Sequence, residues 1–418
     1  MECVILQHES EKQIMSKRQG ESKGLFYQFM KQKPRAIALV FIIICSFLAI
    51  FAYLFTDDKT PNINEQIPAI SLKQPGFSIK LIKFPKNNDV QQSSWLSFIL
   101  NGEEDAYRYV PVAWYDTEGD SLRYKVYDED LNPDSIPTIA IHKAAWYLRS
   151  SDISFIEKKG NSYEVLMTNK SKQILEIASI NKKLNEEQVE KRTYWLGTDL
   201  FGRSLLSRII LGIRFSLFIG LLAVLISITI GTLIGMVSGF YGGRVDDVLS
   251  YIMNVFWSIP TLILVFAIVL VMGRGIQNIF IAVGLTMWVD AARLVRGQVL
   301  ALKKEKYVES AKAMGMSTMR ILSKHILPNM LGPLIVIAVS NFASAIIVES
   351  GLSYLGFGIQ PPTPSLGSIL SENYGFILSG KPMLAIAPVL VLLFLVLAFN
   401  LVGNGVRDIF DVKTNIQP

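Results

Sequence analysis

Phe215-Ser-Leu-Phe-Ile-Gly-Leu-Leu-Ala-Val-Leu-Ile-Ser-Ile-Thr-Ile-Gly-Thr-Leu-Ile-Gly-Met-Val237 carries no charged side chain. A helix needs about 20 apolar residues to cross a bilayer. In hydrocarbon the backbone must satisfy its own hydrogen bonds, so a run of this kind is helical. Four similar runs follow, at 248–272, 276–294, 331–352 and 383–402, and one precedes it at 36–55. The pattern predicts an all-α polytopic membrane protein with six transmembrane helices. Pro260 and Pro388 fall inside two of the runs and are expected to kink them rather than break them. Gly220, Gly231 and Gly235 have the spacing that lets helices approach closely.

Composition agrees. The 418 residues are 50% hydrophobic and 18% charged, against about 25% charged in an average soluble domain. The net charge of +6 reflects basic residues beside the apolar runs, which points to membrane orientation rather than nucleic-acid binding. Cys3 and Cys45 support neither a disulfide framework nor a thiolate metal site. A signal peptide fits the first run poorly, because 35 residues precede it and its apolar core is long. It reads as a retained anchor.

Orientation follows from Lys and Arg near the ends of the runs. Lys31, Lys33 and Arg35 precede the first span and place residues 1–35 in the cytoplasm. The Arg293–Lys324 loop holds eight basic and two acidic residues, and six spans put it, and the tail at 409–418, on the same side. Arg203, Arg208 and Arg214 oppose this bias from the outer side. Leu206, Ile209, Ile210 and Ile213 make a helical stripe there, so 193–214 reads as a segment lying at the interface.

Residues 56–192 form a polar, extracytoplasmic insertion between the first two spans. Leu122-Arg-Tyr-Lys-Val-Tyr127 alternates as a half-buried strand does. Thr117-Glu-Gly-Asp120 and Lys159-Gly-Asn-Ser162 read as turns. Tyr107, Tyr109, Trp114, Tyr115, Trp146 and Tyr147 supply aromatic bulk for a small core. Ile174, Ile177, Ile180 and Leu184 suggest one amphipathic helix. The expectation is a small, mostly β domain. Its plainer role is a structured spacer, and its sharper one is a docking surface for a substrate-delivering partner.

The cytoplasmic loop contains Tyr307-Val-Glu-Ser-Ala-Lys-Ala-Met-Gly315 and then Ile321-Leu-Ser-Lys-His-Ile-Leu-Pro-Asn329. It reads as helix, break, helix. Glu309 to Met314 are mostly helix formers, with small Ser310, Ala311 and Ala313. Gly315 suits the left-handed residue past a helix end. Ser317 suits a helix N-cap, and Pro328 marks a boundary before the fifth span. Glu309 offers one charge for a basic partner. Taken alone, the segment reads better as an ordinary basic cytoplasmic loop.

The loop resembles the "EAA" motif of binding-protein-dependent ABC importer permeases: Glu-Ala-Ala, three residues, Gly, nine residues, then Ile-x-Leu-Pro. Glu309, Ala311, Gly315, Leu327 and Pro328 match at that spacing, Ser310 replaces one Ala, and His325 replaces the Ile. His325 is similar to the residue in the oligopeptide/dipeptide branch, so it is not read as catalytic or metal-binding. Leu196-Gly-Thr-Asp-Leu-Phe-Gly-Arg203, Ala292-Arg-Leu-Val-Arg-Gly-Gln-Val299, Leu352-Ser-Tyr-Leu-Gly-Phe-Gly-Ile-Gln-Pro-Pro-Thr-Pro364 and Ala398-Phe-Asn-Leu-Val-Gly403 also resemble that branch. Asn404, where the family usually has Asp, and Val412, where Pro is common, depart from it. The resemblance covers Tyr194 to the C-terminus and the anchor. It implies an N-terminal anchor plus a five-helix type I importer core at 215–408, with a coupling loop at 293–329.

The resemblance further implies a permease subunit for oligopeptides or dipeptides in a prokaryotic inner membrane. Glu309, Ser310, Ala311, Gly315, Leu327 and Pro328 would couple it to cytoplasmic ATPase subunits. The implied partners are a homologous permease subunit, two ABC ATPase subunits and an extracytoplasmic solute-binding protein. ATP and Mg would sit on the ATPase subunits, since the chain has no G-x-x-x-x-G-K-[ST] phosphate loop. Nickel or another small solute is the alternative cargo. His8, His142 and His325 have no metal-ligand spacing, and no nucleophile–base pair stands out. Glu349, near the outer end of the fifth span, reads as a helix-end residue near water, with substrate contact or intramembrane pairing as the sharper alternative. A secondary transporter would need mid-membrane carboxylates and repeated halves, which the sequence does not show. A membrane-anchored sensor or enzyme leaves six spans unexplained.

Overall fold

The computed structural model describes residues 29–86, 94–119, 121–127, 138–140, 153–167 and 171–414. Trp146 and Tyr147 lie outside the described residues. Two parts follow the two compositions: a small β unit and a helical bundle.

The chain enters the bundle on α1 (Lys33–Ile50), extended by a short turn at Ala52–Phe55. It then builds the β unit. β1 (Phe77–Pro85), β2 (Tyr107–Glu118), β3 (Ser121–Val126), β4 (Thr138–Ala140) and β8 (Val189–Tyr194) form an antiparallel sheet in the order β4-β3-β2-β1-β8. β5 (Ile153–Lys159), β6 (Ser162–Met167) and β7 (Lys172–Glu176) form a second. In β1 the period of two puts Ile79 and Leu81 on one face, against Ile67, Ile70 and Tyr194. Ile82 turns the other way and joins Val112, Leu122, Val165, Ile180 and Leu184. The turn readings at Gly119 and at Gly160-Asn161 hold, and both glycines have positive φ. The helix reading starts too early. Ile174 lies in β7 and is 73% exposed, while α3 (Ile177–Lys183) buries Ile177 and Ile180. A short helix, α2 (Trp95–Asn101), sits between β1 and β2.

The bundle begins with α4 (Leu205–Tyr241), a single helix of 37 residues. At 1.5 Å per residue it is about 55 Å long, nearly twice the hydrocarbon thickness. Residues 205–214 are therefore its first turns and not a separate helix lying at the interface. Ile209, Ile210 and Ile213 are buried, with Ile209 and Ile213 packed against Leu366, Ile369 and Leu384. α5 (Gly243–Ser258) and α6 (Thr261–Met272) follow, bent by 92° at Ile259-Pro260. Pro260 thus breaks the run it was expected to kink, because it starts a new helix as the N-cap of α6. Pro388 lies inside an unbroken helix, α13 (Met383–Thr414).

α7 (Ile276–Thr286) and α8 (Trp288–Leu302) together are one candidate span. α9 (Lys306–Ala313) and α10 (Thr318–Ile321) make the loop between the α7–α8 span and the next. α11 (Leu331–Tyr354), α12 (Leu366–Asn373) and α13 complete the bundle. Among the described residues, five helices are long and apolar enough to span a membrane, or six when the bent α5–α6 pair counts as one crossing.

Candidate coupling site

α9 is built as a two-faced element. Val308 and Ala311, three residues apart, are buried among Val295, Val299, Ile321, Leu322, Ile326 and Met330. Glu309, Ser310, Lys312 and Ala313 face outward, and Met314 and Met319 are 71% and 75% exposed. The Ser310 hydroxyl turns back to donate to the Lys306 carbonyl at 2.8 Å, leaving little of that side chain for a partner. A groove of about 630 Å³ beside α9 is lined by Phe240, Lys303, Lys304, Glu309, Lys312 and Ile321.

The helix ends as expected at Gly315. Its φ is +77°. The Gly315 amide donates to the Lys312 carbonyl and the Met316 amide to the Ala311 carbonyl, at 3.0 and 3.1 Å. This pair of bonds is the Schellman closure, which needs a left-handed residue at that position. Two expectations downstream fail. Ser317 has the extended backbone of an N-cap but its hydroxyl makes no capping bond. Pro328 does not stop the helix: the winding loosens to a π-turn at Leu322–Ile326 and tightens to a 3-10 turn at Leu327–Met330, then continues into α11. Proline removes one backbone donor and crowds the preceding turn, and the π and 3-10 turns absorb both effects. Asn329 braces the region, donating to the Tyr307 hydroxyl at 3.1 Å and the His325 carbonyl at 2.7 Å.

Behind α9 the contacts lead straight into the spans. α8 lies along α4 on a stripe of Gly231, Gly235 and Gly239, where an added Cβ would come within 2.5–2.9 Å of α8 carbonyl oxygens. Ser227 of α4 donates to the Met287 carbonyl at 2.9 Å, and Asn341 of α11 donates to Ser227 at 3.1 Å. Arg296 of α8 grips both carboxylate oxygens of Asp246 on α5 at 2.6 Å. α9 is therefore connected to α4, α5 and α11 through directly packed or bonded neighbours.

At the other end of the bundle lies a site the sequence did not reveal. Arg208 is fully buried. It reaches Asp199 at 2.9 Å and Glu372 at 2.6 Å. Arg203 bonds the same two carboxylates at 2.7 and 2.9 Å, and Asn64 at 3.1 Å. Burial acts to raise the Glu372 pKa, but the hydrogen bond and charge of Arg208, helped by Arg203, hold it below the usual carboxylate range. Arg214 donates to the Ile99 carbonyl at 2.9 Å. These three arginines are held by internal partners, so they carry no orientation signal. The Asp199/Arg203 spacing of four was the visible clue; Glu372 had none.

Glu349 is also fully buried, not near water. Its carboxylate accepts from Ser353 at 2.7 Å, Ser216 at 3.2 Å and Ser350 at 3.3 Å. The cluster ties α11 to α4.

Residues 231–416 match the family described as binding-protein-dependent transport system inner membrane component. The chain is 37% identical over 230 residues to the oligopeptide transport system permease protein OppC of Bacillus subtilis, spanning 55% of this chain and 75% of that one. The chain belongs to this permease family. As a family member it is a multi-pass membrane transport subunit. It is 40% identical over 220 residues to the glutathione transport system permease protein GsiD of Pectobacterium atrosepticum, spanning 53% of this chain and 73% of that one. It is 39% identical over 229 residues to the dipeptide transport system permease protein DppC of Alkalihalophilus pseudofirmus, spanning 55% and 75%. Among solved structures, the inward-facing MetNI methionine ABC transporter is similar at 21% identity and a TM-score of 0.41, over 49% of this chain and 97% of that one.

Proposed function

We propose that this permease forms half of the translocation pathway of an ATP-driven peptide importer, with α9 as the element that receives motion from a cytoplasmic ATPase subunit. The relatives' names supply the cargo class: oligopeptides, dipeptides and glutathione. The observation that carries the coupling role is the division of α9, buried on Val308 and Ala311 and open on Glu309, Met314 and the lysines. In this reading, Met314 and Met319 fill apolar hollows on the ATPase subunit, and Glu309 pairs with a basic side chain there. Ala311, Leu327 and Pro328 shape the platform rather than touch the partner. Coupling requires an element whose arrangement both sites bias, and α9 has fixed contacts on its inner face only. ATP and Mg belong to the ATPase subunits, and a solute-binding protein delivers the cargo at the outer face.

In this arrangement the bent α5–α6 pair counts as one crossing, and both termini and α9 are cytoplasmic. Single cysteines at Asn161 and Thr318, in a variant lacking Cys3 and Cys45, then label from opposite sides of sealed cells; labelling of both from outside contradicts the topology. The function is tested by uptake of labelled peptide into proteoliposomes. The chain with its partner permease, ATPase subunits and binding protein is expected to accumulate peptide only with ATP. ATP-driven uptake by this chain alone would refute the reading.

A further inference from the structure

We infer that α2, the short helix Trp95–Asn101 of the outer unit, is an interfacial anchor that lays Trp95, Leu96 and Leu100 into the headgroup region of the outer lipid leaflet. It lies between two strands of a polar unit, yet these side chains are 66%, 65% and 60% exposed. Leu96 and Leu100 are four residues apart, so they share one face. Ile99 turns inward and is buried.

The position of α2 identifies what covers this face. Phe98 packs near Tyr53, in the last turn of the first span, with ring centroids 6.4 Å apart. The Ile99 carbonyl accepts from Arg214 of α4, whose guanidinium lies 5.8 Å from the Tyr53 ring centre. Gly102, just past α2, has φ +75°, and an added Cβ there would come within 2.6 Å of the Lys59 carbonyl and 2.8 Å of the Tyr53 ring. The Glu103 amide donates to the same carbonyl at 2.9 Å. The helix is thus clamped where α1 leaves the membrane. α1 and its last turn present Phe47, Ile50, Leu54 and Phe55, each 50–56% exposed. The contacts with Tyr53 and Arg214 hold the exposed side chains of α2 at the same end of α1 as this apolar surface. Tryptophan is the side chain best suited to the boundary, with an apolar ring and one polar N–H. Two attachments, the anchor here and β8 leading into α4, would fix the outer unit's tilt over the bundle. The inference does not depend on the coupling role of α9.

The test uses the full chain, without Cys3 and Cys45, assembled with its partners in phosphatidylethanolamine–phosphatidylglycerol vesicles. A spin label at Leu96→Cys is compared with labels at Leu54→Cys and Asn161→Cys for collisions with oxygen and with a water-soluble nickel chelate. Leu96 is expected to resemble Leu54, with an oxygen-to-nickel ratio several-fold above that at Asn161. A ratio equal to that at Asn161 overturns the inference. So does shielding of Leu96 that appears only when the solute-binding protein is added. Independently of labelling, lipids brominated near the headgroup should quench the tryptophan fluorescence of the native chain more than that of Trp95→Phe. Equal quenching also overturns it.

Discussion

Gly315→Val isolates the geometry of α9 from its surroundings. Nothing beyond its chain neighbours lies within 4 Å of the position a Cβ would take, so the added Cβ meets open space. The entire cost is backbone strain at φ +77°. For a β-branched residue held in the left-handed region this is about 2 kcal/mol, a roughly 30-fold shift against the Schellman-closed end. The six spans tolerate that loss; a docking face that depends on where Met314 and Glu309 point does not. Gly160→Val is a matched control, with φ +63° and equally open space, but in a hairpin turn of the outer unit. The assay is pull-down of the ATPase subunit together with peptide uptake in proteoliposomes, after confirming equal membrane levels. Gly315→Val should lose association about 30-fold and lose transport, whereas Gly160→Val should retain both. Equal behaviour of the two variants would refute the placement of the coupling contact on α9.

Other consequences follow from the packing. Gly235→Leu would drive a side chain into the Ala292 carbonyl and Val295 of α8, at a cost of about 1–3 kcal/mol or more; it should lower the melting temperature in detergent, while Gly297→Leu, with open space around it, should not. Arg208→Met leaves Asp199 and Glu372 short of a buried counter-charge and should cost about 3–5 kcal/mol. Arg208→Lys should recover only part of it, because an ammonium cannot reproduce the forked contact with Glu372, and thermal melts of the three chains rank them. In the outer unit, burial pushes Glu65 up to about 7 against the pull of Arg192. A carboxyl whose folded pKa is raised binds protons more tightly when folded, so stability is highest below its unfolded pKa and falls as pH rises to about 7, by up to about 3 kcal/mol. Melts of the full chain in detergent should show this decline in the native sequence and a flatter profile in Glu65→Gln, which should melt no lower than wild type at pH 8.

The helical spans were legible because hydrocarbon leaves the backbone no other economical state. The end of α9 was legible because a Schellman closure favours glycine, and Gly315 sits where the helix formers stop. Periodicity revealed the apolar stripe at Leu206–Ile213 but not what covers it: lipid and a neighbouring helix demand the same side chains, and here α1 with its last turn, α12 and α13 are the cover. Ile174 shows the same limit from the other side, since three-residue spacing from Ile177 continued a helical phase into a strand. Whether Pro260 kinks or breaks a helix depends on neighbours that local sequence does not name. The Arg208–Glu372 pair spans 164 positions, and Glu349 meets Ser216 across 133; only the folded bundle brings such groups together.

The central claim is that α9 presents its outer face to the ATPase subunit. A photo-crosslinking amino acid at Met314, which is 71% exposed, tests it in intact membranes, with Leu378, 96% exposed between α12 and α13, as the comparison. Irradiation should join position 314 to the ATPase subunit and position 378 to no ATPase. Capture of the ATPase at 378 but not at 314 would contradict the account.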